Sequence, residues 1–534
     1  MLVSVVTFVL FTAFVAIISW VKSRDEDLTH SKGYFLAGRS LPWFVIAGSL
    51  MLTNISTEQL VGLNGWAYAG DASVMAWEAI SAVAMVAMAI YFLPRYLKGD
   101  ITTVPELLET RFGPAVRSIV SVMFLLALTI SFLPFVIYSG ALAMNGLFPI
   151  SDLVTVSTES AIWIFATSLC LIGGAYAIFG GLKAVAISDT VNGVGLLLGG
   201  FAIPILGLIQ LGDGDIGEAL KTMTENSPEK LSPIGRSDSP VPFDTLFSGI
   251  LFISIYYWCT NQAIVQRTFG AKSLAEAQKG VLFAALLKIV CVGILVLPGL
   301  IAFHMFGADL ENQDMAYPAL VAAVLPVWAK GFFAAVMFGA IMSSFNSGLH
   351  SASTLFGVDI YKQFIRPGAT DQETVKAGKV LGAILVVVCI FLAPTIAQAP
   401  DGLFSLMKKL TAFVNIPILA VVMVGIVFQR TTPLAAYVAL PLGILFYGYF
   451  GFFREGVFWE GMQLHWLHVA GLNFVLLVVV MLAIRAWKPV HESVAETVAV
   501  PSIDLTSWGK TIPASVVLMI LLVALYAYLG HVGS

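Results

Sequence analysis

Charged residues are scarce in this chain of 534 residues. Asp, Glu, Lys and Arg make up only 11% of the sequence, whereas hydrophobic residues make up 58% and the mean hydropathy is +0.91. A soluble protein of this size needs far more charge to cover its surface. The composition therefore excludes a soluble globular protein and predicts a polytopic membrane protein. The net charge of −4 suggests no nucleic-acid partner.

Cysteine is also rare, and the motifs of common enzyme classes are missing. The four cysteines, at 170, 259, 291 and 389, show neither C-x-x-C spacing nor companion histidines, so we interpret them as small buried apolar residues. His491 and Glu492 begin a zinc-protease motif that lacks its second histidine. The glycines between 193 and 199 lack the spacing of a dinucleotide-binding loop. These absences predict that the protein is not an enzyme.

Long apolar segments recur along the whole chain. A helix needs about 20 apolar residues to cross roughly 30 Å of hydrocarbon, and this criterion predicts an all-α protein with about 14 transmembrane helices. The first segment lacks the basic start and cleavage site of a signal peptide, so we expect it to be a retained helix. The predicted spans are 3–22, 42–68, 72–94, 118–145, 160–180, 184–211, 244–263, 280–304, 328–356, 377–398, 403–428, 431–452, 465–485 and 512–530.

Lysine and arginine concentrate in one set of alternate loops. These loops include Arg117, Arg267 and Lys362, whereas the opposite loops hold few basic residues and include the acidic stretch from about 212 to 243. Basic loops stay in the cytoplasm. We therefore predict a multi-pass protein of the cell inner (plasma) membrane, in contact with the lipid bilayer, with both termini outside the cytoplasm and a solvated outside loop at 213–243.

One predicted span contains an unusually polar stretch, TNISTEQLVG, at residues 53–62. Polar groups at membrane depth are costly and mark candidate pathways or binding sites. A helix in a membrane unwinds only where its freed backbone groups face protein or a cavity. The residues from Asn54 to Gln59 form either such an unwound hinge or a polar helix face buried by hydrogen bonds to neighbouring helices.

Two further spans carry ionisable residues. Glu78 and Ser81 lie three residues apart, on one face of the third span, and Lys288 interrupts the eighth. Opposite charges in separate helices indicate an intramembrane ion pair. That pair would be either structural or part of a site in which a carboxylate and nearby amide and hydroxyl groups bind a polyol.

The ninth span is rich in hydroxyl groups. Its sequence FGAIMSSFNSGLHSAST holds Ser343, Ser344, Asn346, Ser347 and His350 within a few helical turns. Hydroxyl and carbonyl oxygens are weak ligands suited to a monovalent cation whose hydration shell they replace. Small residues of this kind also serve close helix packing, so both interpretations stay open at this point.

Four sequence tracts carry a specific resemblance. GYFLAGRSLPWF (33–44), TNISTEQLVG (53–62), ISIYYWCTNQAIVQRTFGAKSLAEAQKG (253–280) and AIMSSFNS (340–347) resemble the solute:sodium symporter family, in particular its bacterial sodium/sugar branch related to sodium/glucose cotransporters. The resemblance covers nearly the full chain. It implies an inverted repeat of five plus five helices in which the first helix of each repeat is broken around a midplane site.

The same resemblance implies how the chain is organised. Residues 1–41 would form an additional N-terminal helix and cytoplasmic loop, and 42–212 the first repeat. The extracytoplasmic loop 213–243 would lead into the second repeat, 244–452. Additional C-terminal helices would occupy 453–534, where the cytoplasmic segment 486–511 is either a linker or a contact for a partner. No obligate protein partner is inferred.

In this family, a sodium ion is held by carbonyls of the first core helix and by carbonyl and hydroxyl groups of the eighth. Carried over to this sequence, the ligands are Leu52, Ile55, Ala340, Ser343 and Ser344. The resemblance therefore implies sodium as the coupling ion.

A second sodium would use Asp189, which matches an acidic position of the fifth core helix, with oxygens from Asn346 and Ser347. Asp189 would otherwise be a hydrated charge near a helix end.

For a sugar substrate, the family's positions match Gln59, Glu78, Ser81 and Lys288. Ser254 stands where the sugar branch often has asparagine. For the gates, the matching residues are Tyr257 on the inner side and Trp77 and Phe404 on the outer side.

Lys408 departs from the pattern, because a glutamine is the familiar lining residue at this position. A buried ammonium needs an anion or a route to water. If Lys408 faces the site, the substrate would be a uronate or a sulfated or sulfonated sugar. The alternative is a vestibule lysine balanced by Asp401 or Glu58.

Together these observations predict a sodium-coupled secondary active symporter that imports a small-molecule sugar by alternating access. Uptake of an acidic sugar through Lys408 is the alternative within the same class. A sodium-dependent sensor or channel on the same fold is a further alternative. A sensor normally carries a cytoplasmic signalling domain, and only transport assays distinguish a channel.

Overall fold

Helices, including short 3-10 and π-helical turns, make up about 83% of the described residues in the computed structural model. The remainder is loops and one small hairpin. The described residues are 2–26, 28–148, 156–308, 310, 312–398, 403–428, 430–459, 461–489 and 503–533.

The helices of the first half of the chain include the first predicted break. In chain order they are α1 (Leu2–Ser23), α2 (Ser31–Leu36), α3 (Trp43–Asn54), α4 (Thr57–Ala69), α5 (Ala76–Ala87), α6 (Leu93–Lys98), α7 (Val104–Phe112), α8 (Pro114–Ala127), α9 (Leu133–Leu147), α10 (Thr158–Leu211), α11 (Ile216–Asn226) and α12 (Pro228–Leu231). The backbone of α10 leaves helical geometry at Gly181, where φ is +66°.

The second half of the chain is also mostly helical. Its helices are α13 (Gly249–Cys259), α14 (Gln262–Phe269), α15 (Leu274–Val290), α16 (Val292–Leu295), α17 (Leu297–Phe306), α18 (Ala316–Val324), α19 (Val327–Thr354), α20 (Asp371–Leu392), α21 (Leu403–Val427), α22 (Pro433–Phe446), α23 (Trp466–Trp487) and α24 (Thr511–Val532). Two short antiparallel strands, β1 (Val457–Trp459) and β2 (Met462–Gln463), form the hairpin.

The number of membrane spans is close to the prediction. Among the described residues, 11 helices are long and apolar enough to cross a membrane, or 12 if the bent pair Leu274–Val290 and Val292–Phe306 is one span. The predicted spans 42–68 and 244–263 are each interrupted, so their apolar helices α3 and α13 are shorter than a full membrane span. The total of 14, the division into two repeats and the side of the termini stay predictions.

The first interruption falls within the polar stretch. Helix α3 ends at Asn54 and α4 begins at Thr57, so the chain leaves the helical path at Ile55 and Ser56. The Ser56 N–H donates to the carbonyl of Asn54 (3.1 Å) instead of Leu52 four residues earlier. All four residues on either side of and within this break are buried. The freed backbone groups therefore face protein, as the membrane environment requires.

The second interruption separates α13 from α14 at Thr260 and Asn261. The Asn261 side chain accepts a hydrogen bond from the Ala263 N–H (3.0 Å) and so caps the start of α14. The hydroxyl of Tyr96 donates to the carbonyl of Cys259 (2.7 Å), which lies at the end of α13. Side chains thus replace the helical hydrogen bonds that the break removes.

A third irregularity bends the span that begins with α15 by 47° near Cys291. Beyond the bend, Asn64 on α4 joins α16 to α17: its side-chain oxygen accepts from the Gly299 N–H (2.9 Å), and its amide donates to the Ile294 carbonyl (3.3 Å). A side chain of a neighbouring helix therefore pairs with backbone groups where α16 gives way to α17.

Two basic residues predicted in cytoplasmic loops are buried instead. Arg117 is 6% exposed and contacts Asp359 and Glu109, and Arg267 is fully buried on α14. The loop prediction for these two residues was wrong, because charge alone does not reveal that a partner lies within the fold.

The predicted solvated loop 213–243 contains two helices, α11 and α12. Lys230 donates from α12 to the carbonyls of Tyr68 (3.1 Å) and Gly70 (2.7 Å), at the end of α4. Burial lowers the pKa of the Lys230 ammonium, while the nearby carboxylates of Asp71 and Glu229 raise it. This segment therefore packs on the helix that follows the first break.

The crossing of α4 with α17 gives a testable prediction for stability. A Cβ added at Gly299 would lie 2.1 Å from the carbonyl oxygen of Asn64. We expect Gly299→Ala to destabilise the fold by about 1–3 kcal/mol through overpacking. The readout is the midpoint of thermal unfolding in detergent. Gly368→Ala is the matched control, since no atom lies within 4 Å there, and equal midpoints for both variants would contradict the prediction.

Candidate functional site

A cavity lies where the two broken spans, α3–α4 and α13–α14, meet α5, α8 and α21. It brings together seven residues that the sequence predicted for substrate binding or gating, namely Gln59, Trp77, Glu78, Ser81, Ser254, Tyr257 and Lys408. The remaining lining residues are Asn54, Glu58, Phe124, Ala127, Leu128, Phe132, Ile253, Tyr256, Trp258, Asn261, Met407, Thr411 and Asn415. The cavity therefore combines aromatic walls with several polar groups, as small-molecule sites do.

The predicted intramembrane ion pair is present beside this cavity. The Lys288 ammonium contacts the Glu78 carboxylate and the side-chain oxygen of Asn54, and both charged side chains are buried. Lys288 does not line the cavity itself, whereas Glu78 and Asn54 do. In this conformation Lys288 lies behind Glu78 and contacts its carboxylate, and a direct contact between Lys288 and a substrate stays a prediction.

Lys408 faces the cavity and is surrounded by aromatic rings. Its ammonium lies 4.7 Å from the ring centre of Phe404, 5.2 Å from that of Trp77 and 5.6 Å from that of Tyr257. Such cation–π contacts stabilise an ammonium that has lost part of its hydration. Of its two predicted partners, Glu58 lines the same cavity and Asp401 lies outside the described residues.

Several polar atoms of the cavity wall have no hydrogen-bond partner among the described residues. They are Oε2 of Glu58, Oε1 of Gln59 and Nε1 of Trp77. Buried polar atoms are almost always paired, so unpaired ones at a cavity indicate a place for a polar ligand. The wall offers both acceptors and donors.

An aromatic layer closes one side of the cavity. Trp77 packs edge-to-face on Phe404 (5.8 Å between centroids) and stacks on Trp466 (6.2 Å). Phe404 also contacts Trp66 (5.6 Å), which lines a second, wider cavity beyond the layer. The predicted outer gate residues Trp77 and Phe404 thus lie between the two cavities. The predicted inner residue Tyr257 lines the first cavity.

The proposed sodium ligands lie at the first break and on α19. In a regular helix, the carbonyls of Leu52 and Ile55 would accept from the N–H groups of Ser56 and Gln59. Here these N–H groups donate instead to the carbonyls of Asn54 and Ser56, each at a distance of 3.1 Å. On α19, Ser343 has a hydroxyl without a partner among the described residues.

The hydroxyl of Ser344 donates to the Thr53 carbonyl (2.9 Å), so it links α19 to the first break and keeps its lone pairs for a cation. Ala340, the fifth predicted ligand, is buried on the same helix.

Asp189 lies about two turns after the kink at Gly181 in α10 and is buried, with 1% of its surface exposed. Its carboxylate accepts a hydrogen bond from the Ser49 hydroxyl (2.7 Å), and its other oxygen has no partner among the described residues. The alternative of a hydrated helix-end charge was therefore wrong. Asn346 and Ser347 are likewise buried.

These features coincide with a match over most of the chain. The sequence profile described as the sodium:solute symporter family matches residues 34–443. The chain belongs to this family. The symporter thus carries sodium as its coupling ion together with a small-molecule solute. It is a multi-pass membrane transporter.

Individual relatives extend the comparison beyond the profile. The uncharacterized symporter YidK of Escherichia coli (strain K12) is 45% identical over 530 residues, which cover 99% of this symporter and 91% of that protein. The sodium/glucose cotransporter of Vibrio parahaemolyticus is 32% identical over 472 residues, covering 83% and 84% of the two chains. These bacterial relatives agree with a plasma-membrane location.

A solved structure is similar to the whole fold of the symporter. The substrate-bound, outward-open state of a Na⁺-coupled sialic acid symporter has a TM-score of 0.76, with 20% sequence identity. The similarity covers 91% of this chain and 98% of the other. At this identity it shows the shared fold of a sodium-coupled transporter.

Sequence reasoning missed part of the cavity wall. Glu58 and Asn54 belong to the polar stretch that was singled out, but neither was assigned to the substrate site. Thr411 and Asn415 lie in the apolar span 403–428 and were not assigned to the site. Their polar side chains within an apolar span were the signal that could have identified them.

The ion pair of the symporter gives the second prediction. Lys288→Met leaves the Glu78 carboxylate buried without its cation, and we expect a loss of about 3–5 kcal/mol of stability. Thermal unfolding in detergent measures the effect. Lys362→Met is the control, because its pair with Asp371 (3.2 Å) is partly exposed and contributes at most about 1 kcal/mol. The prediction fails if both variants unfold at the same temperature.

Proposed function

We propose that the protein imports a neutral sugar together with sodium by alternating access. The observation that carries this proposal is the set of unpaired polar atoms at the cavity wall, on Glu58, Gln59 and Trp77. A relative that is 32% identical bears the name of a sodium/glucose cotransporter, which supports the same substrate class.

The chemistry of the wall suits hydroxyl groups. Each sugar hydroxyl donates one hydrogen bond and accepts others. Glu58 and Gln59 offer acceptor oxygens, whereas Trp77 and Lys408 offer donors. Adjacent hydroxyls of a sugar ring would satisfy both kinds of group, and the aromatic walls would cover the apolar faces of the ring.

The charges around the cavity favour a neutral substrate. Glu78 is paired with Lys288, so these two charges cancel. Glu58 and Lys408 contribute one charge of each sign to the same wall. An anionic substrate attracted by Lys408 would therefore enter a cavity that also contains the Glu58 carboxylate.

An acidic sugar is the second candidate, and the position of Lys408 favours it. The ammonium lies within the cavity among three rings, so it is available to a carboxylate or sulfate on the substrate. Relative to the neutral sugar, this candidate requires that Glu58 be protonated or be turned away.

Sodium would bind where α3 ends against α19. We assign its ligands to the carbonyls of Leu52, Ile55 and Ala340 and the hydroxyls of Ser343 and Ser344. This ion would join the broken span to α19 and so stabilise the orientation of Gln59 and Glu58 toward the substrate. Sodium and substrate would then each favour binding of the other, as linkage requires.

Transport would follow from opening the two sides in turn. The aromatic layer with Trp77 and Phe404 would open the cavity to the outer side. Movement of Tyr257 would open it to the inner side. An inward sodium gradient and a membrane potential, worth about 2.3 kcal/mol per charge per 100 mV, would drive the cycle.

Uptake into proteoliposomes tests the substrate. We expect a neutral hexose to accumulate only with an inward sodium gradient, because substrate and ion are coupled. The matched compound is the uronate of the same hexose, which should be taken up poorly. Uptake of the uronate in preference to the hexose would overturn the neutral-sugar proposal and support the acidic candidate.

The sodium ligands give a further prediction. Ser344→Ala removes a ligand oxygen, so we expect the sodium concentration for half-maximal uptake to rise about tenfold or more, with a smaller change in substrate concentration dependence. Ser353→Ala is the control, since Ser353 is a buried serine on the same helix but lies more than two helical turns after Ser344. Unchanged sodium activation in Ser344→Ala would count against the assignment.

A further inference from the structure

Trp466 is the first residue of α23 and lies beyond residues 34–443, which the family profile matches. Its side chain is buried, and its ring stacks on that of Trp77, with 6.2 Å between the centroids and 17° between the planes. Trp77 lines the first cavity, whereas Trp466 lines the second, wider one. At this point of the aromatic layer, each cavity is therefore bounded by one tryptophan of the stacked pair.

The position of Trp77 depends on contacts from several elements. Phe404 packs edge-to-face on it at 5.8 Å, and the Lys408 ammonium lies 5.2 Å from its ring centre. Aromatic pairs have preferred geometries, so these contacts together restrict how the Trp77 ring tilts. Trp77 leaves the layer only if it gives up its stacking on Trp466 or if both rings move together.

Trp466 is held in place through the first turn of α23. Nδ1 of His468 lies 2.8 Å from the Ser248 hydroxyl, and Nε2 lies 3.4 Å from the Asp244 carboxylate. Ser248 and Asp244 both come just before α13 in the chain. Because the two ring nitrogens of His468 contact two different groups, the orientation of the ring is fixed.

The backbones of α13 and α23 also touch at this end. A Cβ added at Gly249 would lie 2.2 Å from the carbonyl oxygen of Leu467. Further along the two helices, the rings of Phe252 and Phe474 stack with 4.3 Å between their centroids. Close backbone approach at a small residue is typical of tightly packed membrane helices. The start of α23 is thus packed on α13, the helix that carries Tyr257.

We propose that Trp466 is a further residue of the outer gate: it is a positioning residue that holds Trp77 over the first cavity, and the contacts of His468 keep it there. This inference rests on the proposed function, in which the aromatic layer opens the cavity to the outer side. It adds α23, a helix beyond the matched profile, to the gate. Because α13 carries Tyr257, the same contacts connect the outer gate with the helix of the inner one.

Labelling of a cysteine in the first cavity tests the inference in intact cells that produce the full-length protein. The reporter is Ala127→Cys, since Ala127 lines this cavity, and the reagent is a charged, membrane-impermeant methanethiosulfonate added outside. The four natural cysteines are buried, and the protein without the reporter gives their background. Trp466→Leu keeps an apolar side chain but removes the ring, so we expect labelling about three- to tenfold faster than with the reporter alone.

Three variants with the same reporter separate the ring contact from general damage. Trp466→Phe retains an aromatic ring and should label within about twofold of the reporter alone. Trp487→Leu removes the exposed tryptophan at the other end of α23 and should leave the rate unchanged. Ser248→Ala removes one contact of His468, so labelling should become about twofold faster or more. Thermal unfolding in detergent shows which variants are folded.

Phe404→Leu distinguishes the inference from the function on which it rests, because Phe404 belongs to the proposed gate and its replacement should also speed labelling. Faster labelling in Phe404→Leu but not in a folded Trp466→Leu would overturn the inference and leave the gate intact. Equally fast labelling in Trp466→Phe and Trp466→Leu would overturn it too, since the ring would then not matter.

Unchanged rates in both Phe404→Leu and Trp466→Leu would overturn the gate assignment, and the inference with it. Should Trp466→Leu not fold, Ser248→Ala decides, because an unchanged rate in that variant would contradict the role of the His468 contacts.

Discussion

Every backbone group of a membrane-embedded chain must be hydrogen-bonded inside the protein, and this constraint governs the arrangement at Ile55 and Ser56. A break there is tolerated because the surrounding helices bury it. Ser344 supplies a donor to the carbonyl of Thr53, and the carbonyls of Leu52 and Ile55 lose their helical donors. The same break that costs helical hydrogen bonds therefore frees carbonyl oxygens, and this is where we propose that sodium binds.

Two buried ion pairs form a second pattern, in which each pair joins separate elements of the fold. Glu78 on α5 pairs with Lys288 on α15, and Arg117 on α8 pairs with Asp359 beyond α19. Isolated charges at this depth are costly, whereas pairs connect elements that are far apart in sequence. The fold thus uses a small number of ionic contacts to fix which helices are neighbours.

Much of the fold follows from the sequence, because apolar length and polar interruptions report local constraints. The break in TNISTEQLVG and the pair of Glu78 with Lys288 were both predicted and both occur. Arg267 was wrongly predicted to lie in a cytoplasmic loop, because it belongs to a short helix of mixed composition whose burial depends on α19. The role of Lys288 behind Glu78 also depended on distances between helices, which no local pattern contains.

The side chain of Asn64 has a mechanical consequence. It is anchored on α4 and holds α16 and α17 together, at Ile294 and Gly299. The backbones also touch at this crossing, so α4 and α17 cannot slide past each other. A tilt of α4 would therefore carry α17 with it, because the Asn64 side chain and the backbone contact at Gly299 join the two helices.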